Sequence, residues 1–141
     1  MMPRLLIADD SMKKIQLLQD CLRMADWKGE ALIVHNTEDA MQAMDSDPTI
    51  GFAFIDYYMP STNGPAVIAY IKQKNPHAHV ALVSSGNSQK NFEEAKQAGA
   101  EACICTSDRT DEVENMIVGL IQTWNLPSPG KENGRRERGR G

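Results

Sequence analysis

The 141 residues, 41% of them hydrophobic and 24% charged, are enough for one globular core and too few for a second of comparable size. The longest apolar runs, such as Leu5 to Ala8 and Ala31 to Val34, fall far short of the roughly 18 to 20 residues a transmembrane helix needs. Met1-Met2-Pro3-Arg4 leads into a short apolar run and then the acidic pair Asp9-Asp10, which is no secretory signal, so a cytoplasmic protein is expected.

In chain order, short β-branched apolar runs alternate with stretches of helical period. A strand at Arg4 to Ala8 precedes a helix from about Met12 to Met24, with Ile15, Leu18 and Leu22 on one face. Ala31 to Val34 is the second strand, followed by a helix over Glu38 to Met44 that Asn36 or Thr37 can cap. Phe52 to Ile55 is the third strand. Pro65 opens the third helix, which runs to Lys74 and closes at Asn75-Pro76. A strand at Val80 to Val83, a helix from about Gln89 to Ala98 ended by Gly99, a strand at Ala102 to Cys105 and a helix from Asp111 to Trp124 complete the pattern. Five strands in strict alternation with five helices predict an α/β fold, a doubly wound parallel sheet with helices on both faces, because parallel neighbours require long right-handed crossovers.

Residues 1–126 are expected to form this domain. Pro127 to Gly141 carries no aliphatic or aromatic residue and is expected to be a disordered tail. Its Lys131, Arg135, Arg136, Arg138 and Arg140 outnumber Glu132 and Glu137, so the net charge of −4 divides into a basic tail at +3 and an acidic body at −7. An acidic body argues against a DNA-reading domain and is compatible with cation binding. Cys21, Cys103 and Cys105 are odd in number and lack metal-site spacing, so they read as reduced, buried thiols.

Ligands of such a fold bind at the carboxyl ends of the strands. Asp9-Asp10 follow the first strand, Asp56 the third, Ser84-Ser85 the fourth and Thr106-Ser107 the fifth. Three converging carboxylates repel one another unless a cation offsets them, and an all-oxygen site suits Mg²⁺. The first turn, Ala8 to Met12, has no glycine, which excludes the Rossmann and P-loop modes of phosphate binding. An Asp-nucleophile phosphatase usually carries a second acid where Tyr58 stands here.

The acidic pair Asp9-Asp10, the string D-Y-Y-M-P-S-T-N-G from Asp56 to Gly64 and V-S-S at Val83 to Ser85 resemble the receiver domain of bacterial two-component response regulators, over about Pro3 to Trp124. The resemblance implies a stand-alone, chemotaxis-regulator-like fold of the flavodoxin type, with strand order 2-1-3-4-5. It makes Asp56 the phosphoacceptor, charged from the phosphohistidine of a sensor histidine kinase or a histidine phosphotransfer protein. Asp10 would ligate Mg²⁺ directly and Asp9 through water, with Asp56 and the backbone carbonyl of Tyr58 completing the set, and Ser84 would be the switch hydroxyl. Pro60 and Gly64 shape the turn that holds Asp56 at the rim.

Two departures stand out. Receivers normally carry Lys-Pro after the fifth strand, where this chain has Thr106-Ser107, so a neutral donor replaces a charge-assisted one of roughly twice the strength; Arg109 is near in sequence. Cys103 stands where the family often has an aromatic that follows the switch. The expected function is therefore phosphoacceptance at Asp56 with signalling to a downstream protein by contact, the tail being too short for an output domain. The protein is expected to be no enzyme beyond its own phosphorylation and dephosphorylation, no direct DNA binder, and a monomer or weak dimer. The alternatives are a phosphorylation-independent pseudo-receiver that only docks, and an Mg²⁺-dependent phosphohydrolase.

Overall fold

The computed structural model describes residues 3–126; the expected tail, Pro127 to Gly141, lies outside them. The elements are β1 (Leu5–Ala8), α1 (Met12–Met24), β2 (Ala31–Val34), α2 (Thr37–Ser46), β3 (Phe52–Ile55), α3 (Gly64–Lys74), β4 (His79–Ser84), α4 (Gln89–Ala98), β5 (Ala102–Cys105) and α5 (Thr110–Asn125). The strands form one parallel sheet in the order β2-β1-β3-β4-β5, as the alternation and the resemblance predict. No helix among the described residues is long and apolar enough to cross a membrane.

Strand alternation sorts the core into two layers. Leu5, Ile7, Phe52, Phe54, Ala81 and Val83 face α1 and α5, meeting Ile15, Leu18, Leu22, Val113, Ile117 and Ile121. Leu6, Ala53, Ile55, Val80 and Leu82 face the other way, onto Ala40 and Met44 of α2, Val67, Ile68 and Ile71 of α3, and Ala95 of α4. Both faces of the central strands are thus covered, which is why their sequences are almost continuously apolar. Trp124 is buried against Phe54 and Phe52, with its indole N–H donating to Glu101 at 3.1 Å.

The starts of α1 to α4 are fixed by side-chain caps, whereas α5 begins without one. Asn36 caps α2 by accepting from the Asp39 N–H, so that helix begins one residue before the apolar pattern and runs two residues beyond it. Asn63 caps α3 through the Ala66 N–H, which starts the helix at Gly64 with Pro65 just behind.

Gly64 fixes the approach of α3 to the end of β3. Its N–H donates to the Tyr57 carbonyl at 2.8 Å, and a Cβ at this position would overlap the backbone carbonyl oxygen of Asp56. Gly64→Ala is expected to destabilise the fold by about 1–3 kcal/mol, measured by urea denaturation; an unchanged midpoint would show that the turn can give way.

Candidate functional site

The sheet register brings the acidic residues together. β1 and β3 are hydrogen-bonded neighbours with Ala8 opposite Ile55, and the Asp56 N–H donates to the Ala8 carbonyl at 2.9 Å. Asp9, Asp10 and Asp56 consequently offer carboxylate oxygens within 4.8 Å of one another. Asp10 is exposed, whereas Asp9 and Asp56 are only 1% and 5% exposed. An open pocket of about 620 Å³ lies beside them, walled by Asp10, Lys14, Asp56, Tyr58, Ser85, Thr106 and Ser107 among others.

The turn after β1 is built from two linked caps. Asp9 Oδ1 accepts from the Ser11 N–H at 2.8 Å, and the Ser11 hydroxyl accepts from the Lys14 N–H at 3.3 Å, so Ser11 caps α1 while Asp9 holds Ser11. This short segment leaves Lys14 in the first turn of α1, directly under the carboxylates. Its Nζ donates to Asp56 Oδ1 at 2.6 Å and to the Val83 carbonyl at 3.4 Å, and lies 3.1 Å from Asp9 Oδ2. That last separation is an ion pair without hydrogen-bond direction, and Asp9 Oδ2 is buried with no hydrogen-bond donor.

The sequence motifs had not marked Lys14, although a signal was there. Lys14, Leu18 and Cys21 stand at i, i+4 and i+7, so the lysine lies on the buried stripe of α1. It also sits at the positive end of the helix, where a cation is disfavoured by roughly 0.3–1 kcal/mol. A buried lysine against the helix dipole requires anionic partners, and Asp9 and Asp56 are those partners.

Burial pushes the Asp9 carboxyl above the usual carboxylate range, against the pull of the Ser11 N–H and the Lys14 ammonium. Burial likewise raises Asp56, with Lys14 acting in opposition. An acidic cluster with one buried oxygen left unmatched fits a hard divalent cation, for which carboxylate oxygens are the natural ligands.

Of the other sequence candidates, Ser84 ends β4 almost fully buried, its Oγ accepting from the Gly86 N–H at 3.2 Å, while Ser85 rather than Ser84 lines the pocket. Thr106 lines it too, but its hydroxyl donates to the Ser84 carbonyl at 3.4 Å. Arg109 pairs with Asp111 on the surface at 3.3 Å. Cys103 packs beneath α4, with Sγ 3.6 Å from the Phe92 carbonyl.

The loop after Asp56 is fastened to α4, a link the motifs did not reveal. Tyr57 donates its hydroxyl to Glu94 Oε1 at 2.7 Å, and that carboxylate pushes the phenol up to about 12. Tyr58, 64% exposed, accepts from Asn91 Nδ2 at 3.1 Å and meets Tyr57 edge to face. Its backbone bridges to Asn63, with Ser61 between them at φ 89°, a conformation uncommon for a non-glycine residue.

This acidic rim on a doubly wound parallel sheet has clear relatives. A family model of the response regulator receiver domain matches residues 5–117, and the chain belongs to that family, a class of signalling modules of two-component systems rather than classical enzymes. Two-component response regulator ORR5 of Oryza sativa subsp. japonica is 25% identical over 122 residues, spanning 85% of this chain and 90% of the relative. ORR11 of Oryza sativa subsp. indica is 24% identical over 121 residues, covering 84% and 81%. Among solved structures, the Mn²⁺-bound response regulator Rcp1 superposes with a TM-score of 0.76 at 18% identity, covering 91% of this chain and 99% of its own. The phosphorylated cyanobacterial phytochrome response regulator RcpA gives 0.77 at 18% identity, covering 91% and 100%. Receiver domains generally bind Mg²⁺ at an acidic cluster, the place taken here by Asp9, Asp10 and Asp56.

A carboxyl whose pKa is higher in the folded than in the unfolded chain binds more protons when folded, so it lowers stability as pH rises from the unfolded value through the folded one. Asp56→Asn is therefore expected to raise the unfolding midpoint at neutral pH and to have little effect near about pH 3, where both states are protonated. Urea titrations at the two pH values decide it, and a midpoint lowered at neutral pH would refute the assignment.

Proposed function

We propose that the chain is a phosphoacceptor receiver: Asp56 takes a phosphoryl group from a phosphohistidine partner, a sensor histidine kinase or a histidine phosphotransfer protein, and the protein signals by contact with a downstream partner. The convergence of Asp9, Asp10 and Asp56 within 4.8 Å at the carboxyl end of the sheet carries this reading. Asp10, Asp9, Asp56 and the Tyr58 backbone carbonyl would hold Mg²⁺. Bound there, the metal supplies the positive charge that lets a carboxylate and an anionic phosphoryl group approach.

The residues of the chain do the rest. Asp56 is the nucleophile, held at the rim by its N–H bond to Ala8 and by the close packing of Gly64 on its carbonyl. Asp9 orders the turn through Ser11. Ser84 is the switch hydroxyl, and breaking its bond to the Gly86 N–H would free it to meet a phosphoryl oxygen. Thr106 stands at the position of the family's lysine, engaged with the Ser84 carbonyl. Tyr57 and Tyr58 tie the acceptor loop to Glu94 and Asn91 of α4, which makes α4 a surface able to sense a change at Asp56.

The pseudo-receiver reading draws on a different observation, the 2.6 Å contact of Lys14 on the acceptor oxygen, which would make a permanent ion pair of the site. Intact-mass measurement after incubation with Mg²⁺ and acetyl phosphate separates the two. The wild type is expected to gain one phosphoryl group and Asp56→Asn none; a wild type that gains nothing from acetyl phosphate or from phosphorylated kinases rejects the proposal. Tyr58 lines the pocket, and Tyr58→Asn is expected to speed loss of the phosphoryl group several-fold, read as the decay of the phosphorylated mass.

A further inference from the structure

We propose that Lys14 of α1 is the cation that pairs with the phosphoryl group on Asp56, supplying from the first helix the charge that receivers draw from a lysine after the fifth strand. The inference rests on the phosphoacceptor reading above and assigns a role to a residue outside its motifs.

The β5–α5 segment offers the pocket no side-chain cation. Thr106 is neutral and turned to the Ser84 carbonyl, and Arg109 is paired with Asp111 at the surface. Of the two lysines lining the pocket, Lys13 is exposed and Lys14 is 8% exposed. The Lys14 ammonium donates to Asp56 Oδ1 at 2.6 Å and to the Val83 carbonyl at 3.4 Å, and forms an ion pair with Asp9 Oδ2 at 3.1 Å. Val83 lies next to Ser84, so the charge stands between the acceptor and the end of β4, where the switch hydroxyl would act. The position works against the helix dipole and against burial, and the carboxylates are what offset both.

In the transfer, an Asp56 carboxylate oxygen forms a bond to phosphorus as the donor's bond to phosphorus breaks. The departing acetate, or an imidazole whose other ring nitrogen already carries a proton, takes that electron pair. Lys14 keeps its proton throughout. It neutralises the carboxylate before the reaction and, on a flexible four-carbon stem, follows the added negative charge onto a phosphoryl oxygen afterwards. A charge-assisted hydrogen bond of this kind replaces the missing one from position 106.

The experiment compares wild type, Lys14→Met, Lys14→Arg, Asp56→Asn and the double variant Lys14→Met with Thr106→Lys. Circular dichroism establishes that each is folded. Two readouts are taken at saturating Mg²⁺: affinity for beryllofluoride, a phosphoryl mimic, by ¹⁹F NMR, and the rate of acetyl phosphate labelling by intact mass. Lys14→Met is expected to lose about tenfold or more in beryllofluoride affinity, the size of one hydrogen bond to a charged group, and to label more slowly. Lys14→Arg should retain most of both, and Thr106→Lys should recover most of the loss in the double variant. Unchanged or tighter binding by folded Lys14→Met, with a wild type that labels normally, overturns the role of Lys14 and leaves the receiver reading standing. A wild type that neither labels nor binds the mimic, like Asp56→Asn, overturns both.

Discussion

The burial of two neighbouring carboxylates at the ends of β1 and β3 governs this structure. Burying Asp9 and Asp56 beside the exposed Asp10 costs solvation and adds mutual repulsion, and both act to raise the carboxyl pKa values. The buried ammonium of Lys14 partly offsets that cost. It does so incompletely, since burial remains the largest influence on both groups and one Asp9 oxygen keeps no hydrogen bond. A site left short of positive charge is one whose balance an added cation can change.

The rest of the fold serves to hold that imbalance in place. Register does the first part: with Ala8 opposite Ile55, the residues that follow the two strands must emerge side by side. Helix packing does the second. The α1–α5 layer seats Lys14 from one face through Ile15, Leu18 and Leu22, while α3, held close by Gly64, closes the loop after Asp56 from the other. A shift of one residue in any of these contacts would turn a charged group into the core or out to solvent.

The loop after Asp56 and α4 share two side-chain hydrogen bonds, Tyr57 to Glu94 and Asn91 to Tyr58. α4 itself buries little beyond Ala95, so its position depends on these polar links more than that of α3, which carries Val67, Ile68 and Ile71 into the core. With Cys103 rather than a large ring beneath α4, the two tyrosines supply side-chain links between the loop after Asp56 and that helix.

Alternating apolar runs and helical stripes made the five strands, the five helices and their parallel arrangement legible, because burial on one face or two imposes its period directly on the chain. The acidic pair and the Asp56 to Gly64 string made the rim legible as well, since strand ends in such a sheet must share one edge. The starts of α1 and α4 and the Asn36 cap were legible too, whereas α2, α3 and α5 each begin one residue earlier than their apolar pattern. What only the tertiary structure decided is which side chains meet within that rim: that Lys14 reaches Asp56, that Thr106 turns to Ser84, and that Tyr57 and Tyr58 hold α4. Sequence spacing determines which face of an element a residue occupies. The contact between a lysine and an aspartate 42 positions apart depends on how two elements are packed, and neither element carries that distance in its own sequence.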